Sequence, residues 1–342
     1  MLSAELERTA REIVAADRGI LAADESSGTI KKRFDSIGVE STEESRRAYR
    51  ELLFTTPGLG EWVSGVILFD ETIRQSTHDG VPFPMALTAA GMIPGIKVDK
   101  GAHALAGSPE EKVTEGLDGL RDRLAEYAGL GARFTKWRAV ITIGAGIPTD
   151  YCIKTNAHAL ARYAALSQEA GLVPIVEPEV LMDADNTIEV CYEVTLRTLQ
   201  HVFRELEEQR VSLEGMLLKP NMVLSGKQCP VQADAQQVAE LTLKCFRETI
   251  PAAVPGIVFL SGGQSDEQAS ENLNAINSHG AQPWTLSFSY GRALQAPTLK
   301  AWVGREENVE AAQAALAHRA RCNSAAVAGR YSAELEGLAR AT

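Results

Sequence analysis

The stretch Glu214-Gly215-Met216-Leu217-Leu218-Lys219-Pro220-Asn221 reads as a buried strand that runs into a lysine and is stopped by a proline. Apolar side chains on both faces mark a strand covered on both sides, as in a parallel sheet under helices. Strand side chains alternate with a period of two, so Lys219 shares its face with Leu217. Its amine is then placed at the inner end of a dry strand, where the neutral form is favoured over the charged one. A lysine that is neutral near pH 7 is a nucleophile toward carbonyl carbon and forms imines. A lysine stem lying along apolar surface with its amine in water is the plainer reading of the same residues. The rest of the chain decides between them.

Working outward, the same pattern of apolar run and polar end recurs. Gly19–Ala23 leads to Asp24, Val63–Phe69 to Asp70 and Glu71, and Arg133–Val140 carries Lys136 and Arg138 on one face. Leu172–Glu179 carries Glu177, Ile257–Leu260 leads to Ser261-Gly262-Gly263, and Trp284–Tyr290 leads to Gly291-Arg292. Met85–Thr88 together with Ile93–Asp99 supplies the remaining strand, which carries Lys97 and Asp99. Helical segments over about 43–54, 117–130, 150–170, 187–209, 235–249 and 265–277 separate most of these runs. Ser41-Thr42-Glu43-Glu44 and Ser265-Asp266-Glu267-Gln268 have capping-box spacing. Residues 101–114 read as a polar, glycine-containing loop, residues 3–16 as a polar helix, and two helices occupy the carboxyl end.

The polar strand ends lie at 24, 70, 97, 136, 177, 219, 261 and 292, eight exits separated by seven intervals of 27 to 46 residues. Strand alternating with helix predicts a parallel sheet, and eight buried strands predict closure. An open doubly wound sheet would want a Gly-x-Gly-x-x-Gly after an early strand, and the chain has none. The expected fold is therefore α/β, a TIM (β/α)8 barrel with amino-terminal and carboxyl-terminal helical additions. It is expected as one domain over residues 1–342, with the barrel at about 19–300 and helices and a tail at about 305–342.

Bulk properties narrow the function. A net charge of −11 over 342 residues argues against an unspecific nucleic-acid binder and against an anionic membrane surface. Five scattered cysteines without a Cys-x-x-Cys suit a reducing, cytoplasmic setting. No signal-peptide pattern opens the chain, and no apolar run has the length of a membrane span. The histidines (His78, His103, His158, His201, His279, His318) are spread out, and none is read as having an i, i+4 or short-spacing partner of a zinc site.

In a barrel all eight strand ends meet at one face. Lysines 97, 136 and 219, Arg138, Arg292 and the carboxylates Asp24, Glu177 and Glu179 then converge in an otherwise acidic protein. Taken singly, Asp24 fits a helix cap, Glu177 and Glu179 fit ion pairs across the mouth, and Ser261-Gly262-Gly263 fits a tight turn. Together, many charges in a dry pocket are costly unless they serve a ligand or each other. Lys136 brings a second cation toward Lys219, and like charge favours the neutral amine further. Glycine-bearing turns after the last two strands mark the usual barrel phosphate site, to which Arg292 adds a clamp. Lys97, Lys136 and Arg138 supply a second anion zone. A carbonyl compound with phosphate at both ends fits this layout. No metal is called for, because a protonated imine on Lys219 is itself an electron sink.

The runs Gly19-Ile20-Leu21-Ala22-Ala23-Asp24-Glu25-Ser26, Gly95-Ile96-Lys97-Val98-Asp99-Lys100-Gly101, Val173–Glu179, Leu217–Asn221, Phe259–Ser265 and Phe288–Leu294 resemble class I fructose-1,6-bisphosphate aldolase. The resemblance spans about Gly19 to Tyr331. It implies reversible cleavage of fructose 1,6-bisphosphate to dihydroxyacetone phosphate and glyceraldehyde 3-phosphate, without a metal or cofactor. By resemblance, Lys219 forms the imine, Glu177 is the acid/base with Glu179 beside it, and Asp24 takes the hydroxyl proton before carbon–carbon cleavage. Lys136 and Arg138 contact substrate. Ser261, Gly262, Gly263, Ser289, Gly291 and Arg292 belong with one phosphate, Ser26 and Lys97 with the other, and Arg33 and Arg46 lie near substrate. Thr29 stands where the family has a serine. A cytoplasmic homo-oligomer, a tetramer in the family, is implied as well. Related readings are an imine aldolase for sedoheptulose bisphosphate or fructose 1-phosphate, and a non-catalytic sugar-phosphate binder.

The animal and plant members end in a tail with a terminal tyrosine that helps protonate the enamine, whereas this sequence runs out as Leu338-Ala339-Arg340-Ala341-Thr342, with Tyr331 its last tyrosine. Proton exchange on dihydroxyacetone phosphate is therefore expected to be slower or differently assisted, and to survive deletion of residues 332–342. A large loss on truncation overturns that expectation.

Overall fold

The computed structural model describes residues 2–15 and 17–337; the carboxyl-terminal residues 338–342, on which the tail reading rests, lie outside them. In chain order the elements are α1 (Leu2–Ile13), β1 (Gly19–Ala22), α2 (Ser27–Asp35), α3 (Glu43–Phe54), β2 (Val63–Leu68), α4 (Asp70–Ile73), α5 (Phe83–Ala89) and β3 (Ile93–Lys97). Then come β4 (Ala102–Leu105), β5 (Ser108–Thr114), α6 (Leu120–Gly129), β6 (Phe134–Ile141), α7 (Asp150–Glu169), β7 (Val173–Val180), α8 (Ile188–Glu208) and β8 (Leu217–Leu218). The chain continues through α9 (Ala235–Thr249), β9 (Gly256–Phe259), α10 (Asp266–Ser278), β10 (Thr285–Tyr290), α11 (Arg292–Trp302), α12 (Val309–Val327) and α13 (Ala333–Gly337).

Eight parallel strands close on themselves in the order β1-β10-β9-β8-β7-β6-β3-β2. This is the expected TIM barrel. Strand parity divides the core in two. Ile20, Ala22, Ile67, Phe134, Val173, Ile175, Leu217 and Val258 form the inner cluster, joined by Leu6, Ala10, Ile13 and Val14 of α1. Their strand neighbours of opposite parity, such as Leu21, Trp137, Val176 and Leu218, face the helices. Helix α1 lies across the amino-terminal strand ends: Ser64 Oγ donates to the Ile13 carbonyl, and a Cβ on Gly256 would meet Val14 at 2.7 Å. Inside the barrel the Phe134 ring fills space left by glycines, since a Cβ on Gly95 would sit 2.2 Å from it and one on Gly65 3.1 Å.

Several local expectations are corrected. Glu214 and Gly215 belong to a 3-10 turn, so β8 is only Leu217–Leu218. Pairing nevertheless runs on: the Lys219 N–H donates to the Val176 carbonyl at 2.8 Å, and Pro220, with no N–H to give, still accepts from the Leu260 N–H at 3.1 Å. Met85–Thr88 is helical, within α5, which carries a proline in its first turn. Residues 102–114 form an antiparallel hairpin outside the barrel. The helix α2 was not foreseen; only Ile30 and Phe34 of it are buried. The box that opens α3 is Thr42 with Ser45, one residue later than expected, whereas Ser265 caps α10 as read.

Replacing Gly95 with alanine forces the Phe134 ring off its seat. The expected loss is about 1–3 kcal/mol, read from the denaturant midpoint, and an unchanged midpoint contradicts the packing described.

Candidate active site

Parity carries Asp24, Lys97, Lys136, Arg138, Glu177, Glu179 and Lys219 onto the inner face, above the apolar layer. They line a cavity of about 980 Å³ at the carboxyl ends of the strands. Lys136 and Lys219 are each only 3% exposed. Lys136 Nζ lies 2.6 Å from Asp24 Oδ2 and 3.2 Å from Glu177 Oε2, and Lys219 Nζ lies 3.1 Å from Glu177 Oε1. Glu177 thus bridges the two amines instead of leaving them face to face, a refinement of the simple like-charge picture. Its Oε2 accepts no hydrogen bond of adequate angle among the described residues, so the attraction to Lys136 is coulombic and a lone pair stays open to a proton.

The electrostatics of this cluster are dominated by two opposed effects. Burial favours neutral forms, yet Lys136 and Lys219 together outweigh it and hold the Asp24 and Glu177 carboxyls below their ordinary values of 3.8 and 4.5. Burial likewise opposes the Lys136 charge, but Asp24, Glu177 and Asp99 raise its pKa above the ordinary 10.5. Asp24 and Glu177 are therefore anions and Lys136 a cation at neutral pH.

Around this centre sit two zones. Strands β9 and β10, which lead to Ser261-Gly262 and Gly291-Arg292, stand four places round the ring from β3 and β6, which carry Lys97, Lys136 and Arg138. The zones face each other across the mouth, and β8 with Lys219 lies between them. In the first, the N–H groups of Gly262, Gly263 and Gly291 find no acceptor among the described residues. Gly291 is the N-cap of α11. A Cβ on Gly262 would lie 2.8 Å from Glu179 Oε1, so a larger residue there would push that carboxylate aside. Among the described residues Arg292 has no carboxylate partner; it donates to the Gln264 carbonyl. This is a cradle of N–H donors and one uncommitted guanidinium, suited to phosphate. In the second zone Lys97 pairs with Asp99 at 2.6 Å and Arg138 with Glu179. The cavity lining carries nine basic and seven acidic residues, so positive charge is concentrated there in a chain of net charge −11.

Thirteen of the sixteen residues expected at the site line this cavity, among them Ser26 and Arg33; Arg46, Gly263 and Ser289 do not. Arg46 is held away by a two-pronged pair with Glu71, at 2.7 and 2.6 Å. Gly263 takes the left-handed turn position, φ +84, with its Cα toward Met182. Ser289 is buried on the inner face of β10, its Oγ without a partner. The reading missed a buried network behind Arg33: Glu25 accepts from Arg33, from Arg50 Nη2 at 2.7 Å and from Gln295 Nε2 at 2.9 Å. No local signal finds it, because Gln295 lies 270 positions from Glu25. The histidine reading also needs correction. His318 does have a ligand-type partner at i+4, Cys322, and α13 folds Glu336 against both. None of the three lines the cavity.

The sequence model of the family described as "Fructose-bisphosphate aldolase class-I" matches residues 5–342. A probable fructose-bisphosphate aldolase class 1 of Xanthomonas axonopodis pv. citri is 59% identical over 328 residues, covering 96% of this chain and 98% of that one. Fructose-bisphosphate aldolase 1 of Toxoplasma gondii is 54% identical over 340 residues, covering 99% and 94%. Among solved structures, the fructose-bisphosphate aldolase of Plasmodium falciparum, in complex with TRAP and a small-molecule inhibitor, superposes with a TM-score of 0.96 at 53% identity, covering 97% of this chain and 96% of that one.

A depressed carboxyl pKa stabilises the fold above its ordinary value and ceases to as pH falls through the folded one; a raised amine pKa does so below its ordinary value. The cluster thus contributes fully between about pH 4.5 and 10.5. Lys136→Met leaves two buried anions short of their partner, with an expected loss of about 3–5 kcal/mol and an acid-unfolding midpoint moved to higher pH. An unmoved acid midpoint contradicts the coupling.

Proposed function

The chain belongs to the class I fructose-bisphosphate aldolase family, and from that premise we propose how its pocket residues divide the work. The reaction is the reversible aldol cleavage of fructose 1,6-bisphosphate into dihydroxyacetone phosphate and glyceraldehyde 3-phosphate through a lysine Schiff base, a step of glycolysis and gluconeogenesis. The observation that carries the assignment is Glu177 bridging Lys136 and Lys219.

Lys219 gives a proton to Glu177 Oε1, 3.1 Å away, and its free amine attacks the ketone carbon. Glu177 returns that proton to the carbinolamine hydroxyl, which leaves as water and yields the protonated imine. Asp24, an anion set against Lys136, removes the proton of the hydroxyl on the far carbon of the bond to be broken. The carbon–carbon bond then cleaves, an aldehyde forms, and the electron pair moves into the iminium to give an enamine. Lys136 stabilises the negative charge that passes between Asp24 and the substrate oxygen. Glu179 holds Arg138 and lies against the Gly262 turn. One phosphate sits on Ser261, Gly262, Gly291 and Arg292, the other on Ser26, Lys97 and Arg33, with Thr29 in hydrogen-bond reach of Ser26 at 3.2 Å.

No step of this scheme uses a metal or a dissociable cofactor. The cytoplasm suits a chain whose five cysteines are all free thiols, and no helix of the described residues is long and apolar enough to cross a membrane. A homo-oligomer, with four subunits, is part of the same proposal. So is a single domain, which α1 supports by completing the barrel interior.

Borohydride reduction in the presence of dihydroxyacetone phosphate is expected to fix one adduct on Lys219, with activity unchanged by EDTA. No adduct there, or activity lost to EDTA, rejects the scheme. Glu177→Gln is expected to slow cleavage by about 10²–10⁴-fold, and a rate within a few-fold of the parent removes Glu177 from its role. Catalytic efficiencies on fructose 1-phosphate and sedoheptulose bisphosphate rank the substrates.

A further inference from the structure

Outside the cavity lining, helix α12 presents His318 and Cys322 one turn apart, and α13 returns so that Glu336 closes on both. His318 Nε2 lies 3.6 Å from Cys322 Sγ and 3.5 Å from Glu336 Oε2, and the three donor atoms lie within 4.8 Å of one another. With metal–ligand bonds of about 2.0–2.3 Å, the edges of a tetrahedral zinc site measure about 3.4–3.6 Å. The His318–Cys322 and His318–Glu336 separations match such edges, and the Cys322–Glu336 pair lies within 4.8 Å.

The surroundings orient these donors. Glu336 Oε1 is occupied by the Arg319 guanidinium and by the Tyr331 hydroxyl, at 2.8 Å for the latter. Arg319 is itself anchored to α10 through Ser270 Oγ at 2.7 Å and the Asp266 carbonyl at 3.0 Å. Glu336 Oε2 is turned to His318, 3.5 Å from its Nε2. A carboxylate held through one oxygen by fixed donors, with the other directed at an imidazole and a thiol, is the arrangement that outer partners impose on metal ligands. Burial pushes the Cys322 thiol up to about 11, so at rest the Glu336 carboxylate balances the Arg319 guanidinium, and a dication that displaces the thiol proton meets a thiolate as well as the carboxylate. Cys322 is buried while His318 and Glu336 are only partly covered, so an ion enters from their side.

We infer that His318, Cys322 and Glu336 form a site for a borderline-soft divalent cation of the zinc class, which staples α13 to α12 and leaves the aldolase chemistry untouched. On binding, the Cys322 thiol loses its proton to solvent and forms the metal–sulfur bond, His318 binds through its bare Nε2, and a water completes four-coordination. The inference stands apart from the assignment of the cavity residues.

The test titrates chelator-treated, full-length protein with Co²⁺ and then with Zn²⁺. The expected result is one equivalent bound per chain, with visible d–d bands and a near-ultraviolet thiolate-to-cobalt band that zinc abolishes. Cys322→Ser removes the near-ultraviolet band. His318→Gln, at a half-buried surface position, weakens binding at least about 10-fold, the lower end of what even an outer partner costs. Far-ultraviolet circular dichroism and retained aldolase activity confirm that the variants fold. No thiolate band in the parent protein, a band that persists in Cys322→Ser, or unchanged affinity in folded His318→Gln each overturns the site.

Discussion

A single carboxylate suspended between two buried amines governs this structure. Glu177 contacts Lys219 through one oxygen and Lys136 through the other, and Lys136 reaches on to Asp24. Each charge is too costly to bury alone, so none of the four positions is independent of the others. Three different strands and one strand exit must arrive together, which only barrel closure achieves. The eight-residue pairing of β6 with β7, from Phe134 opposite Val173 to Ile141 opposite Val180, is the longest register in the barrel. It is also the pairing that sets Lys136 and Glu177 two residues apart along adjacent strands. Rigidity is concentrated where the charges need it.

Strand parity made most of this legible. A residue two or four places beyond an inward apolar position faces inward too, so Lys219 follows Leu217, Lys136 follows Phe134, and Glu177 follows Ile175. Eight evenly spaced polar exits then fixed both the barrel and the membership of its mouth. What escaped were elements with little apolar content, such as α2 and the 102–114 hairpin, and the Met85–Thr88 run, which is too short for periodicity to separate helix from strand. Side-chain destinations escaped as well. Arg46, near the mouth in sequence terms, turns to Glu71, and Ser289 shares the right face but lies too deep. The Glu25–Arg50–Gln295 network joins residues up to 270 positions apart in the chain, brought together where β10 closes on β1, which no local pattern reports.

That network gives Arg33 a particular freedom. Glu25 is held below its ordinary pKa chiefly by Arg33 and Arg50 against the cost of burial. Because Arg50 is buried and Gln295 also donates to the Ala22 carbonyl at 2.7 Å, the carboxylate keeps partners if Arg33 turns toward a ligand. Arg33 and Glu25 are coupled in the resting pocket, yet Arg50 and Gln295 stay on the carboxylate when Arg33 trades it for another anion.

The position of α1 has a consequence for traffic. With Leu6, Ala10, Ile13 and Val14 packed into the inner cluster, the barrel is a blind well: it opens at the mouth and is sealed with hydrocarbon at the floor. Every species that visits Lys219 must then queue at one doorway. The water expelled on imine formation leaves past the bound sugar. The first product must depart before the second can, and the water that finally hydrolyses the remaining imine enters by the path the aldehyde has vacated. A vessel with a single opening gives its contents one route in and out, and here a greasy amino-terminal helix closes the other end.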